Sequence, residues 1–227
     1  MKFTYFGHSC FLLEVAGKRI IFDPFISPNE LAKGVDIDAI RVDYMFISHG
    51  HEDHVADAER ILKNNPDATV VSNFEIVSWF EGKGFKKVHP MNHGGKWKFD
   101  FGSVKYVNAV HSSVLPDGSY GGNPGGFIFE TSEGTFYYAG DTALTMDMKL
   151  IPLSHKLDFA ILPIGDNFTM GIEDAMLASD FIECEKVVGM HYDTFPYVAI
   201  DKSEAKQVFE SGKKELILFE IGEQKEF

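Results

Sequence analysis

A short polar run, Ser48-His49-Gly50-His51-Glu52-Asp53-His54, constrains this chain more than any other feature. It places three imidazoles and two carboxylates in one turn, between a strand-like run over 44–47 and a helix-like run over 56–62. Neutral imidazole and carboxylate are the usual protein ligands of zinc and other divalent transition metals. The run therefore predicts a metal site. The alternative is a polar loop that happens to be rich in His, whose clustered imidazoles would then lack a shared partner.

Composition limits the class of protein. The chain has 227 residues, 44% of them hydrophobic, which predicts one domain over residues 1–227 with a core rich in its 21 Phe residues. A formal net charge of −13 disfavours binding to long nucleic acid, which requires basic surface. Cys10 and Cys184 are too few for a disulfide framework, and neither a signal peptide nor a bilayer-spanning run is evident. We therefore expect a cytoplasmic protein that does not bind a membrane.

Apolar and alternating runs predict a β-rich chain with helices between the strands. Strands are expected at 2–6, 11–15, 19–22, 43–47, 69–71, 96–101, 104–110, 127–131, 135–138, 159–164, 187–190 and 216–219, and helices at 56–62, 74–80, 172–182 and from Asp201 to Gly212. Two β-rich halves with helices suit two packed sheets with helices outside. The Gly-rich stretch over 112–126 is either an ordinary surface loop or part of a site mouth.

Three more ligand-type residues each follow an apolar β-run: His111, Asp141 and His191. Side chains at strand ends can converge on one edge of a sandwich. Taken singly, such a residue is more often a hydrogen-bonded structural group than a ligand. Together with the polar run, however, they indicate one shared site that chance explains poorly.

The His-x-His-x-Asp-His spacing, with these strand-end residues, resembles the metallo-β-lactamase superfamily of metal-dependent hydrolases. The resemblance extends over the whole chain and implies an α+β fold, a four-layer αββα sandwich with a binuclear metal site. By this resemblance one metal is held by His49, His51 and His111, the other by Asp53, His54 and His191, and Asp141 bridges the two. The donor set favours two divalent ions, zinc or manganese first, and permits nickel or iron.

Further runs resemble small bacterial hydrolases related to L-ascorbate-6-phosphate lactonase. These runs are Phe6-Gly7-His8-Ser9-Cys10, Phe22-Asp23-Pro24, the stretch over 163–171 and His191-Tyr192-Asp193-Thr194. His8 is either a structural imidazole or a site residue that binds a substrate anion, acts as general acid or competes as a ligand; the resemblance favours the site. Asp23 either receives the N–H of a ligating imidazole or shapes the turn before Pro24.

The resemblance implies a hydrolase of a small ester, either a phosphodiester or a lactone, that acts through a hydroxide bridging the two metals. Asp53 is expected to orient the nucleophile and to take part in proton transfer, with His8 as the second catalytic candidate. The expected partner is a small-molecule substrate, and the resemblance mildly favours a homo-oligomer. Two other functions stay open: an iron-dependent redox enzyme on the same fold, and a non-catalytic metal-binding module.

Overall fold

Two seven-stranded sheets form the centre of the protein in a computed structural model that describes residues 1–227. The strands are β1 Lys2–Gly7, β2 Cys10–Val15, β3 Lys18–Phe22, β4 Tyr44–Phe46, β5 Thr69–Asn73, β6 Val88–Met91, β7 Lys96–Phe99, β8 Gly102–Asn108, β9 Gly125–Thr131, β10 Gly134–Tyr138, β11 Phe159–Pro163, β12 Lys186–Met190, β13 Glu215–Ile217 and β14 Gln224–Glu226. The first sheet has the order β14-β1-β2-β3-β4-β5-β6, and the second has the order β13-β12-β11-β10-β9-β8-β7.

Aromatic side chains fill the space between the two sheets. A cluster of 23 buried residues draws on strands of both sheets. The ring of Phe129, from the second sheet, lies 4.9 Å from the ring of Phe46 and 5.4 Å from that of Phe22, both from the first sheet. It also stacks on Phe136 at 4.6 Å. The inward side chains, which alternate along each strand, thus bury ten of the 21 Phe residues between the sheets.

Five helices lie on the outer faces of the sheets: α1 Glu52–Val55, α2 Ala58–Asn64, α3 Phe74–Gly82, α4 Ile172–Phe181 and α5 Lys202–Ser211. The first three pack on the first sheet and the last two on the second, each side through its own apolar cluster of 19 buried residues. This arrangement confirms the predicted α+β, four-layer αββα sandwich. None of these helices has the length and apolar character needed to cross a bilayer.

The helix predicted over 56–62 is α2, which begins two residues later than predicted, and Asp57 separates it from the short helix α1. The carboxylate of Asp57 is buried and accepts hydrogen bonds from the backbone N–H groups of Ile26, at 2.6 Å, and Ser27, at 2.8 Å. These bonds draw the chain toward the segment after β3, and Asp57 leaves the helical region with ψ near 2°. A tertiary contact of this kind has no local sequence signal, so the sequence indicated neither the later start of α2 nor the separate helix α1.

Strand direction gathers the polar residues at one edge. Strands β3 to β6 are parallel, as are β10 to β13, and the antiparallel pairs around them leave β1 and β8 pointing the same way as their parallel neighbours. The carboxyl ends of such strands share an edge of the sheet, which is where ligand sites of open sheets lie. His8, Asp23, the polar run, His111, Asp141 and His191 all follow strands of this direction.

Removal of one inter-sheet ring tests the importance of this core. Phe129→Ala, at a fully buried position, is expected to lower the free energy of unfolding by about 3–5 kcal/mol, because it leaves a cavity between the sheets. The same change at Phe74, which is 60% exposed, is expected to cost under about 1 kcal/mol. Urea unfolding followed by circular dichroism measures both; equal losses would contradict the assignment of the core.

Candidate metal centre

Asp23 organises the edge where the polar residues meet. It is fully buried, directly follows β3 and has a left-handed backbone, with φ of 37°. Its Oδ1 accepts the N–H of Ser48 at 2.8 Å, and its Oδ2 accepts the Ser48 hydroxyl at 2.5 Å. Oδ2 also accepts the Tyr138 hydroxyl and Nδ1–H of His54, the latter at 2.7 Å. One carboxylate therefore ties together β3, the turn after β4, helix α1 and the end of β10.

These bonds fix the tautomers of two imidazoles. The carboxylate of Asp23 can only accept, so the hydrogen atom of the His54 ring lies on Nδ1 and its Nε2 carries a lone pair. The Ser48 hydroxyl donates its single proton to Asp23, and it therefore accepts from His49 Nδ1, 3.0 Å away. His49 thus also presents an unprotonated Nε2. Both imidazoles are fully buried, and His54 Nε2 has no hydrogen-bond partner.

His49, His51 and His111 form the first donor group, in which the three nitrogen atoms lie within 4.8 Å of one another. His49 Nε2 is 3.0 Å from His51 Nδ1. The other nitrogen of His51 is 3.2 Å from the hydroxyl of Ser112, so the ring turns its Nδ1 toward the group. This is the trio that the resemblance assigns to the first metal.

His8, Asp53, His54 and His191 form the second donor group, again with one atom from each residue within 4.8 Å of the others. His191 Nε2 and His54 Nε2 are 3.8 and 3.9 Å from Asp53 Oδ2. His8 and His191 have left-handed backbones, with φ of 56° and 59°, which is costly for residues other than glycine. The turns after β1 and β12 hold these two rings against the group despite that cost.

Asp141 lies between the two groups. Its Oδ2 is 2.9 Å from Nε2 of His191 and 3.3 Å from Nε2 of His54, in the second group. On the other side it is 3.6 Å from Nε2 of His111 and 4.0 Å from Nε2 of His49, in the first group. Its Oδ1 is buried without a hydrogen-bond partner. One oxygen of this carboxylate therefore lies close to ring nitrogen atoms of both donor groups.

Gly140 permits the turn that delivers Asp141. Its φ is 62°, and a side chain there would place Cβ only 2.6 Å from Cβ of Ser48. The turn after β10 must therefore pass directly over the turn after β4. A residue with a side chain would push Asp141 away from the imidazoles, so this position requires glycine.

Burial keeps the first group in its ligand form. Desolvation lowers the pKa values of His49, His51 and His111, because a buried imidazolium loses its hydration. Burial and the nearby His191 also lower the pKa of His8, to about 4. A metal binds the neutral imidazole, and these rings are therefore ready to bind one without first losing a proton.

The carboxylates of Asp53 and Asp141, which lie beside these imidazoles, are held ionised. Burial alone would raise the pKa of Asp141, but His191 and His54 lower it well below its usual value. The pKa of Asp53 is lowered in the same way, against burial, by His54 and by the hydrogen bond with His8. Burial lowers the pKa of His54, yet Asp141, Asp53 and Asp23 together raise it. The three carboxylates around His54 thus favour positive charge at this position.

All the residues predicted for the site come together at this edge: His8, Asp23, His49, His51, Asp53, His54, His111, Asp141 and His191. Their roles as ligands, catalytic groups or supporting groups stay predictions. Part of the Gly-rich stretch packs on the cluster, since the Ser113 hydroxyl accepts the N–H of Gly50 at 3.0 Å. By contrast, His93 stacks on Tyr106, with ring centroids 4.9 Å apart, outside either donor group.

The supporting hydroxyl groups were not among the residues predicted for the site. Ser48 and Tyr138 bind Asp23, and Thr194 lies 3.0 Å from His8 Nδ1. Ser48 is the first residue of the polar run, and Thr194 closes the run that begins at His191, so both lie within segments already singled out. Their partners come from distant segments, and only the fold reveals the contacts.

Comparison with known proteins agrees with this geometry. A family profile described as "Beta-lactamase superfamily domain" matches residues 2–191. Proteins described as UPF0173 metal-dependent hydrolases are similar along nearly the whole chain. The one from Christiangramia forsetii is 58% identical over 224 residues, and the one from Methylacidiphilum infernorum is 50% identical over 223, each match covering 98% of both chains.

A solved structure gives the same fold. Igni18, described as a novel metallo hydrolase from the hyperthermophilic archaeon Ignicoccus hospitalis, superposes with a TM-score of 0.88 at 37% identity and covers 100% of this chain and 98% of its own. The sandwich fold, the His and Asp residues gathered at its edge and the similar proteins all indicate a metal-dependent hydrolase. The chain belongs to the β-lactamase superfamily, within the UPF0173 group of metal-dependent hydrolases.

Proposed function

We propose that this enzyme is a binuclear metal-dependent hydrolase of a small ester, either a phosphodiester or a lactone. The observation that carries the proposal is the pair of donor groups that share Asp141. Each group offers three or more ligand-type atoms, and one carboxylate oxygen reaches both. Two-metal hydrolases use such adjacent sites to stabilise the attacking and the leaving oxygen.

The donor atoms fit bound cations. Nε2 of His54 lies 3.3 Å from Oδ2 of Asp141 but makes no hydrogen bond, and Oδ1 of Asp141 also has no hydrogen-bond partner. Buried polar atoms without partners are rare, and a cation between these side chains would satisfy them. Nitrogen and carboxylate oxygen without Cys suit zinc or manganese, and nickel or iron by the same chemistry.

Metals in such a site acidify a coordinated water and polarise the substrate oxygen. The protein supplies the orientation. Asp53 has a side chain that is 27% exposed, so it is more open than the other carboxylates of the cluster, and its neighbours keep it ionised. An ionised carboxylate at the open side can orient the attacking water and accept its proton. Bound cations would also offset the acidic surface and admit an anionic ester.

Metal analysis tests the binuclear site. Protein purified without added metal is expected to contain about two equivalents of zinc or manganese per chain by elemental analysis. Asp141→Ala is expected to lose at least one equivalent, because it removes the oxygen that faces Nε2 atoms of both groups. His93→Ala, outside the groups, is the control and is expected to retain both. Iron as the main metal would favour a redox enzyme instead, and wild-type protein that takes up no metal would contradict the proposal.

The effect of Asp23 on metal affinity can be measured separately from its effect on folding stability. Asp23→Asn is expected to weaken metal affinity about 10- to 100-fold, because the amide no longer accepts from His49 (through Ser48) and from His54 as the carboxylate does. Asp57→Asn is the matched control: it alters another buried carboxylate that binds backbone N–H groups and touches no imidazole. Chelator competition measures metal affinity, and urea unfolding measures the stability that both variants are expected to lose. Equal metal affinity in the two variants would refute this role.

Asp53 is expected to act in the proton transfer. Asp53→Asn is expected to lower turnover about 10²- to 10⁴-fold, the usual contribution of a general base, on bis(p-nitrophenyl) phosphate or on whichever lactone proves active. Glu52→Gln, the exposed neighbour on the same helix, is the control. Elemental analysis of both variants separates lost metal from lost catalysis. Full turnover by Asp53→Asn with both metals retained would exclude this residue as the base.

A further inference from the structure

His8 lies beside the second donor group, at the turn that follows β1. Its left-handed backbone is fixed by its carbonyl oxygen, which accepts the Tyr5 hydroxyl and the N–H of His191, each at 2.9 Å. The ring packs against that of His191, with centroids 4.1 Å apart, and the side chain is fully buried. Costly backbone conformations that surrounding bonds maintain cluster at functional sites. The turn therefore serves to hold this ring against the group.

The Thr194 hydroxyl holds one edge of the His8 ring. Thr194 Oγ1 lies 3.0 Å from His8 Nδ1 and also bonds to the carbonyl oxygen of Tyr192, at 3.3 Å. With Nδ1 held there, Nε2 of His8 is turned toward the second group. Ser48 does the same for His49: its proton is committed to a carboxylate, and it accepts the Nδ1–H of the ring. A hydroxyl thus orients one imidazole beside each of the two donor groups.

Nε2 of His8 points into the second group. It lies 3.1 Å from Asp53 Oδ2, a spacing close to the 3.0 Å between His49 and His51 in the first group. Without a metal, Nε2–H donates to this carboxylate, and a cation that replaces the hydrogen would be held by the same two atoms. We propose that His8 is a fourth ligand of the second metal, beside Asp53, His54 and His191, and that Thr194 is its positioning residue. The inference rests on the proposed function, because it requires metal in the cluster.

This assignment makes the two metal positions unequal. The first offers three imidazoles besides Asp141, whereas the second offers three imidazoles and the carboxylate of Asp53 besides Asp141. Zinc in proteins is mostly satisfied by four ligands, while metals such as manganese accept more donors, including carboxylate oxygen. The second position is therefore expected to favour manganese or iron over zinc more strongly than the first.

Cobalt(II) loading of the metal-free full-length chain tests the proposal, since cobalt absorbs visible light according to its ligands. Wild type is expected to bind about two equivalents. His8→Ala is expected to weaken one equivalent about 10- to 100-fold and to change its absorption bands. Thr194→Val is expected to weaken the same equivalent, and Thr194→Ser, which keeps the hydroxyl, to restore it. Ser211→Ala, which removes an exposed hydroxyl at the end of the outer helix α5, is the control and leaves both equivalents unchanged.

Two results would overturn the proposal. If His8→Ala and Thr194→Val fold, as judged by near-ultraviolet circular dichroism, and keep the spectrum and affinity of wild type, then His8 Nε2 carries hydrogen and donates to Asp53. In that case the binuclear function stands and only this inference fails. If wild type binds no cobalt, the proposed function fails and the inference fails with it.

Discussion

The hydrogen bonds to one buried carboxylate, that of Asp23, are the interaction on which the site depends. A fully buried charge is costly unless donors surround it, and four donors converge on this one. Those donors belong to the turn after β4, to α1 and to β10. The carboxylate thus joins the two sheets at the edge where the ligand-type residues emerge. The hydrogen bonds that stabilise this buried carboxylate are also the bonds that orient His49 and His54.

The sandwich makes this arrangement possible. Stacked aromatic rings between the sheets, such as Phe129 on Phe136, hold the strand ends in register. Left-handed turns at His8, Asp23 and His191 then point side chains across the edge rather than along the strands. A rigid core can maintain such turns, whereas an isolated loop would relax out of them. Packing of the core thereby keeps the carboxylates and imidazoles of the site close together, although some of these groups repel one another.

The sequence predicted the sandwich and the members of the cluster because both have local or spaced signals. The polar run over 48–54 is a pattern of residue types, and His111, Asp141 and His191 each follow an apolar strand. The break at Asp57 and the hydroxyl partners Ser48 and Thr194 had no such signal. Each depends on a residue brought near only by the fold, as Ile26 is to Asp57 or His8 to Thr194. Sequence patterns thus indicated which residues form the site but not which hydrogen bonds set their tautomers.

The central claim is that two cations share Asp141, and anomalous X-ray scattering tests it most directly. Crystals of protein purified without added metal, measured on both sides of the absorption edge of the metal found by elemental analysis, would show the scatterers themselves. The account predicts two anomalous peaks about 3.5–4 Å apart, one beside His49, His51 and His111 and one beside Asp53, His54 and His191. A single peak, or a pair of peaks of which only one lies next to Asp141, would contradict it.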